Sequence, residues 1–249
     1  MKIAVCLRRV PDTTSKIVVA AGGLAIDEAG LKFVPNPYDD YALEAAIALK
    51  DAAGVGETVV VAFGGDTVQE TLRTALAMGI DRAVHLQGTP SADGLANARV
   101  LADYFHDGGF DLILFGKLAV DDYGQQTGAM TAELLGLPCA TAITSLDIAD
   151  GKATVTREVE GGVEHAGCAL PAVFTCDKGL NNPRLPSLKG IMAAKKKPFD
   201  IVPVSAPAGR VQIVSLALPP ERAAGRIVGE GADAVPALIQ LLTAEAKVL

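Results

Sequence analysis

Short apolar runs rich in β-branched residues alternate with helical stretches through the first half of this chain. That alternation constrains the fold more than any other feature. "KIAVCLR" (2–8), "TVVVAFGG" (58–65) and "DLILFG" (111–116) read as strands buried on both faces, and "RAVHL" (82–86) is a weaker version. Between them, "NPYDDYALEAAIALKDAAG" begins with Asn36 at a cap position and Pro37 at the first helical position. Asp39 and Asp40 fall in its first turn, and Leu43, Ala46 and Ile47 form its apolar face. "DTVQETLRTALAMG" offers Asp66 as cap, Leu72, Ala75 and Leu76 as inward face and Gly79 as stop. "SADGLANARVLADYF" is a third helix. Strand alternating with helix predicts right-handed parallel βαβ units, whose ligands bind beyond the carboxyl ends of the strands.

From Cys139 the texture changes. The turn signals "ADGK" and "EGGV" separate alternating stretches, which predicts antiparallel hairpins. After Asp177 periodicity fades, and "NNPRLPSLKGIMAAKKKPFDIVPVSAPAG" is rich in Pro, Gly and Lys. "GADAVPALIQLLTAEAKVL" recovers a helix with Val235, Leu238, Ile239 and Leu242 on its inward side. Residues 1–189 are therefore expected as one α/β domain. Residues 190–249 are expected as an arm too apolar to hang free, packing on a partner or back on the core.

The chain carries 249 residues and a net charge of −7, which argues against general nucleic-acid binding. The run "AAKKKP" reads as a solvated face. Four cysteines, Cys6, Cys139, Cys168 and Cys176, form no CxxC pair and lie at no ligand spacing from a histidine. They are expected as buried free thiols in a reducing compartment, with no metal site. The N-terminus lacks a signal-peptide pattern, and no apolar stretch approaches the roughly 20 residues of a membrane span. A cytoplasmic protein is expected.

The polar stretch "GKLAVDDYGQQTGAM" follows the strand "DLILFG" and leads into a helix. Its backbone N–H groups and the Thr127 hydroxyl make an anion site at a helix start, while Gly124 and Gly128 permit close approach. The alternative is an ordinary strand-to-helix loop with Thr127 or Gln126 as cap. Neither GxGxxG nor Walker A is present. Asn36 has two possible uses as well, as a plain cap or turned toward a base or ribose. Asp121 and Asp122 adjoin, but no nucleophile or histidine is near in sequence, so a solvated or capping role outweighs an acid–base pair.

Taken in order, these stretches resemble the β-subunit of electron-transfer flavoprotein over nearly the whole chain. The carrying motifs are "VPDT", "NPYDDYALEAA", "LRTALAMGIDRAVHL", "DLILFGKLAVDDYGQQTGAM", "VTREVEGGVEHAGCALPAVFTC" and "LNNPRLPSLKGIMAAKKKP". The resemblance implies a Rossmann-like adenine-nucleotide-binding sheet with helices on both faces, a β-hairpin region and a C-terminal arm. It implies an obligate heterodimer whose α-subunit holds most of the FAD, while this subunit holds a structural AMP and carries no catalytic residues of its own. Nucleotide contacts carried over are Cys6, Asn36, Pro37, Tyr38, Asp39, Gly64, Ala119, Val120, Asp121, Asp122, Tyr123, Gly124, Gln125, Gln126, Thr127, Gly128, Ala129 and Met130. Gln125, Gln126 and Thr127 should face the phosphate. Leu188 matches a leucine that plugs a pocket on an acyl-CoA dehydrogenase or related donor, flanked by Leu185, Pro186, Ile191 and Met192, and an electron-transfer flavoprotein–quinone oxidoreductase would accept the electrons.

The chain departs from the family pattern in places. Ala193 stands where some members have a lysine, and Thr13 where some have an aromatic residue near the flavin. Bifurcating members, which bind a second FAD in place of AMP, tend to read "DGDTAQVG" where this chain has "DDYGQQTG". The AMP type is therefore expected, with the bifurcating type as the alternative. An α-hydrolase of the same nucleotide-binding class would need a stretch such as SGGxDS after the first strand, where "RRVPDTTSK" stands. A universal-stress-type module would lack the long arm.

Overall fold

The computed structural model describes residues 1–221 and 224–249 and divides into two units, Met1–Ser215 and Leu216–Leu249. Among the described residues the first unit is built on a nine-stranded sheet. Its strands in chain order are β1 (Lys2–Cys6), β4 (Glu57–Gly64), β5 (Arg82–Gln87), β6 (Leu112–Gly116), β7 (Cys139–Ala149), β8 (Lys152–Val159), β9 (Gly162–Ala169), β10 (Ala172–Cys176) and β11 (Phe199–Pro203). A separate pair joins β2 (Arg9–Pro11) to β3 (Phe33–Pro35). The helices are α1 (Pro37–Ala53), α2 (Val68–Met78), α3 (Gly94–His106), α4 (Thr127–Leu135) and α5 (Leu188–Ala194).

The sheet order is β11-β5-β4-β1-β6-β10-β7-β8-β9. Pairing is parallel from β11 through β7 and antiparallel at β7–β8 and β8–β9. The chain runs from β1 outward to β4 and β5, then returns to place β6 on the other side of β1. The carboxyl ends of β1 and β6 thus form the crevice at which the strand order reverses, where open α/β sheets bind ligands.

The buried strands explain why the sequence pattern is so plain. Successive side chains of a strand point to opposite faces. Ile3 and Val5 join a core with Leu43, Ala46, Ile47, Leu72, Ala75 and Leu76 of α1 and α2. Ala4 and Cys6 join the other core with Val100, Leu101 and Phe105 of α3 and Ala132 of α4. Helices therefore cover both faces of the parallel part, as expected. The hairpin turns fall where expected, with Asp150 and Gly151 between β7 and β8 and Gly161 between β8 and β9.

Several local expectations are corrected. Thr67, not Asp66, occupies the cap position of α2, and no side chain caps that helix. The Asp66 carboxylate instead accepts from Gln87 Nε2 at 2.6 Å. Of the three lysines, Lys197 leaves solvent: its ammonium donates to the Leu76 and Ile80 carbonyls at 2.9 and 2.6 Å, near the end of α2. A cation there answers the partial negative charge of a helix C-terminus. Cys139 is exposed rather than buried.

The stretch after residue 189 is only partly an arm. β11 adds a parallel strand beside β5, with Phe199 opposite Ala83 and Pro203 opposite Gln87. The division after Ser215 therefore lies beyond the expected boundary at 189. The second unit contains α6 (Val235–Leu241), flanked by the turns Ala232–Ala234 and Leu242–Ala246, and none of these elements has a buried residue. Val235, Leu238 and Ile239, expected to face inward, are about half exposed at 48%, 43% and 50%.

Candidate functional site

A cavity of about 380 Å³ opens at the crevice, within the range of small-ligand pockets. Cys6 to Arg9 at the end of β1 and beyond it, Phe63 to Gly65 and Thr67 at the end of β4 and beyond it, and Phe115 to Ala119 at the end of β6 and beyond it supply much of its wall. Pro90, Ser91 and Asn97 come from the entry to α3. Of the residues expected from sequence, Cys6, Asp39, Gly64, Ala119, Asp121, Asp122, Gln125, Gln126, Thr127 and Gly128 line the cavity. Asn36, Pro37, Tyr38, Val120, Tyr123, Gly124, Ala129 and Met130 do not. Arg8, Arg9, Phe63, Thr67, Ser91, Asn97 and Lys117 also line it, and sequence reasoning missed them. The rule that ligands sit past strand ends reaches Arg8, Arg9, Thr67 and Lys117. Ser91 and Asn97 give no such signal, because only the packing of α3 brings them in.

The polar loop folds back on itself. The Tyr123 N–H donates to the Ala119 carbonyl at 2.8 Å, and the Gly124 N–H to Asp122 Oδ1 at 2.8 Å. The second bond is the self-bonding that makes aspartate a turn residue. Tyr123 and Gln125 take positive φ values of 53° and 54°. Non-glycine residues held there cost of order 1–3 kcal/mol, and such strain clusters at ligand clamps. Gln126 then occupies the cap position of α4, and no side chain caps the helix. Gln126 therefore holds one of the two cap positions considered from sequence but makes no cap bond, and Thr127 is the first helical residue. The first N–H groups of a helix have no partner within it, so those of Thr127, Gly128 and Ala129 remain available at the cavity end. A Cβ on Gly128 would stand 2.6 Å from Thr175 Cγ2 and 3.2 Å from Phe115 Cγ, so the start of α4 lies flush on β6 and β10.

Asn36 holds this loop from behind. It is fully buried at the cap position of α1 and makes no cap bond. Its Nδ2 donates to the Leu118 carbonyl at 2.7 Å and to Asp39 Oδ1 at 2.9 Å, and its Oδ1 accepts from the Val120 N–H at 3.1 Å. The Asp39 carboxylate also accepts from the N–H groups of Arg8 and Gly116 at 2.7 and 3.1 Å. One asparagine and one aspartate thus tie the ends of β1 and β6 and the loop to the start of α1. Burial pushes the Asp39 carboxyl up to about 7, against the opposing pull of the Arg8 N–H. Burial also raises Asp121 and pushes the Cys6 thiol well up, so Cys6 is a neutral wall atom.

On another surface, the segment after β10 is anchored to α1. The guanidinium of Arg184 donates to Glu44 at 2.8 and 2.9 Å and to Asp51 at 3.1 Å. Ser187 caps α5 by accepting from the Gly190 N–H at 3.0 Å. A Cβ on Gly190 would overlap the Ala77 carbonyl, so only glycine lets α5 lie this close to the end of α2. The expected recognition residues sit on this anchored base. Leu185, Leu188, Ile191 and Met192 are 88%, 83%, 47% and 72% exposed, and Pro186 is half-buried. The alternative that Leu188 packs inward is overturned.

Comparison with known proteins gives this geometry its context. The model of the electron transfer flavoprotein domain matches residues 23–207. The chain belongs to the electron transfer flavoprotein β-subunit family. It is 44% identical over 225 residues to the electron transfer flavoprotein subunit beta of Syntrophomonas wolfei, covering 90% of this chain and 88% of the relative. The Bacillus subtilis subunit beta is 40% identical over 260 residues, across the full length of both chains. The Homo sapiens subunit beta is 36% identical over 249 residues, covering 97% of this chain and 98% of the relative. The family's description as a β-subunit implies an α-subunit beside it, and its description as a flavoprotein implies a flavin in the assembly. Among the described residues no helix is long and apolar enough to cross a membrane, and no group of three or more potential ligands could hold a metal ion.

Proposed function

We propose that the cavity binds a structural AMP and that the chain serves, without catalytic residues of its own, as the β-subunit of a conventional one-FAD electron carrier. The observation that carries this reading is the uncapped start of α4 opening on a cavity at the strand-order reversal. Free N–H groups and the helix dipole suit one phosphate. The apolar walls formed by Val61, Phe63, Leu101 and Phe115 suit a flat base. The expected contacts that line the cavity belong to this proposal, with Asn36 acting through the loop.

In the same reading the FAD, held mainly by the α-subunit, supplies the electron-carrying ring, and this chain orients and covers that subunit. The second unit from Leu216 onward, with the exposed apolar side chains of α6, packs on the α-subunit. The face around Leu188 docks acyl-CoA dehydrogenases or related donors, and electrons pass on toward a quinone oxidoreductase. A contact this small suits a carrier that must leave after delivery. Four unpaired thiols fit a reducing compartment such as the cytoplasm.

Thr127→Val tests the phosphate assignment in the heterodimer. Removing one hydroxyl partner of a charged phosphate should cost about 1.5–3 kcal/mol, or about ten- to hundredfold in affinity. Isothermal titration with AMP reads this directly, and the flavin spectrum should hardly change. AMP bound as tightly as by wild type would remove Thr127 from the phosphate site.

A further inference from the structure

The turn between β4 and α2 enters the cavity wall through Gly64, Gly65, Thr67 and Val68. A Cβ on Gly64 would stand 2.6 Å from Val68 Cγ1, so the end of β4 lies directly against the first turn of α2. Two side chains on one face of β5 hold this turn. Gln87 Nε2 donates to Asp66 Oδ1 at 2.6 Å. His85 Nε2 lies 2.9 Å from the Gly64 carbonyl oxygen. A carbonyl only accepts, so Nε2 carries a hydrogen and donates it. The same oxygen accepts from the Gly88 N–H at 3.1 Å. His85 is fully buried, and its Nδ1 has no hydrogen-bond partner among the described residues. An unpaired buried nitrogen costs stability. Packing alone would favour an apolar side chain here.

We propose that His85, which does not itself line the cavity, is a positioning residue for the nucleotide: its bond to the Gly64 carbonyl aims the Gly65 N–H at the ligand. The inference rests on the nucleotide reading above and adds a residue that acts from behind the wall. The Gly64 carbonyl and the Gly65 N–H belong to one planar peptide unit, and in a trans peptide they point in opposite directions. β4 lies between β5 and β1 in the sheet. Holding the carbonyl toward His85 and Gly88 on the β5 side therefore turns the Gly65 N–H toward β1 and the crevice. Among the described residues that N–H is bonded to no backbone carbonyl, which leaves it for a ligand acceptor atom. Glycines at 64 and 65 let the backbone turn either way, so the direction has to be imposed from outside. One donor would leave the peptide free to rock, whereas donors from His85 and Gly88 together fix it. A loop already held in its binding geometry loses less entropy when the ligand arrives.

The test uses the intact heterodimer, stripped of nucleotide and titrated calorimetrically with AMP. His85→Leu removes the donor together with the unpaired Nδ1, and the Gly64 carbonyl keeps the Gly88 N–H. The melting temperature without nucleotide should therefore stay within about 4 °C of wild type. AMP affinity should fall at least about tenfold. His85→Gln, whose amide can place a donor where Nε2 stands, should recover most of that loss. AMP bound by His85→Leu as tightly as by wild type, or a loss that His85→Gln does not repair, would overturn the proposal. If His85→Leu does not assemble, wild type decides. AMP should slow hydrogen exchange at the Gly65 amide at least about tenfold, and the nitrogen spectrum of His85 should show a hydrogen on Nε2. A Gly65 amide that bound AMP leaves unprotected, or a hydrogen on Nδ1 alone, would overturn the proposal and leave the nucleotide reading standing. Wild type binding no AMP would defeat that reading and the proposal with it.

Discussion

Replacing Asn36 by alanine should lower the melting temperature by about 6–12 °C and unfasten the polar loop. The asparagine is fully buried, and its amide satisfies the Leu118 carbonyl, the Val120 N–H and one Asp39 oxygen together. Each buried group left without a partner costs about 1–3 kcal/mol, and shared relaxation keeps the sum to about 3. For a chain of this size 1 kcal/mol moves the melting temperature by about 2–4 °C. Hydrogen exchange at the Val120 amide should accelerate by far more than exchange in the central strands. Asn36→Asp should be worse than alanine, because a second carboxylate would face Asp39 and the Leu118 carbonyl. A melting temperature within 2 °C of wild type, with Val120 still protected, would show that the loop holds itself and that Asn36 is dispensable.

Leu188→Ala should leave the fold alone and slow electron delivery from an acyl-CoA dehydrogenase-type donor at least tenfold in kcat/KM. Leu188 is 83% exposed, and surface truncations usually stay within about 0.5 kcal/mol. Its exposure is not looseness. Arg184 on Glu44, the Ser187 cap and the fit of Gly190 against Ala77 fix the start of α5 from below. An exposed apolar side chain on a fixed base is what a partner pocket needs for an anchor, and anchors of this kind carry about 2 kcal/mol or more. Dye reduction of the free heterodimer should not change. If Leu188→Ala instead lowered the melting temperature and left donor kinetics intact, recognition would have to move to Leu185 or Met192.

What was legible in the sequence follows from how each feature is encoded. The parallel strands were plain because burial on both faces demands unbroken apolar runs, as in "VVVAF" and "LILF". Helices α1, α2 and α3 were plain because each buries an apolar face, as Leu72, Ala75 and Leu76 do in α2, whereas α5 was not, since only Ala194 of it is buried. β11 was not legible, since "FDIVP" follows a lysine run and only its pairing with β5 gives it meaning. Lys197 was misread for the same reason: nothing local distinguishes it from Lys195 and Lys196, and the carbonyls it meets lie more than a hundred residues away in the chain. At the site, the polar loop announced itself by composition, but its grip did not. Asn36 sits where a cap belongs, and it takes the folded chain to turn its amide toward Leu118 and Val120. The pairing of Arg8 with Asp121 and Asp122 joins residues across the same reversal of strand order and left no pattern in the sequence.

The central claim is that this chain carries AMP in a one-FAD carrier. The direct measurement is the nucleotide content of the purified heterodimer, released by acid and separated by chromatography. One AMP and one FAD per heterodimer is the result expected. Two FAD and no AMP would contradict it and identify the second site as a flavin site of the bifurcating type.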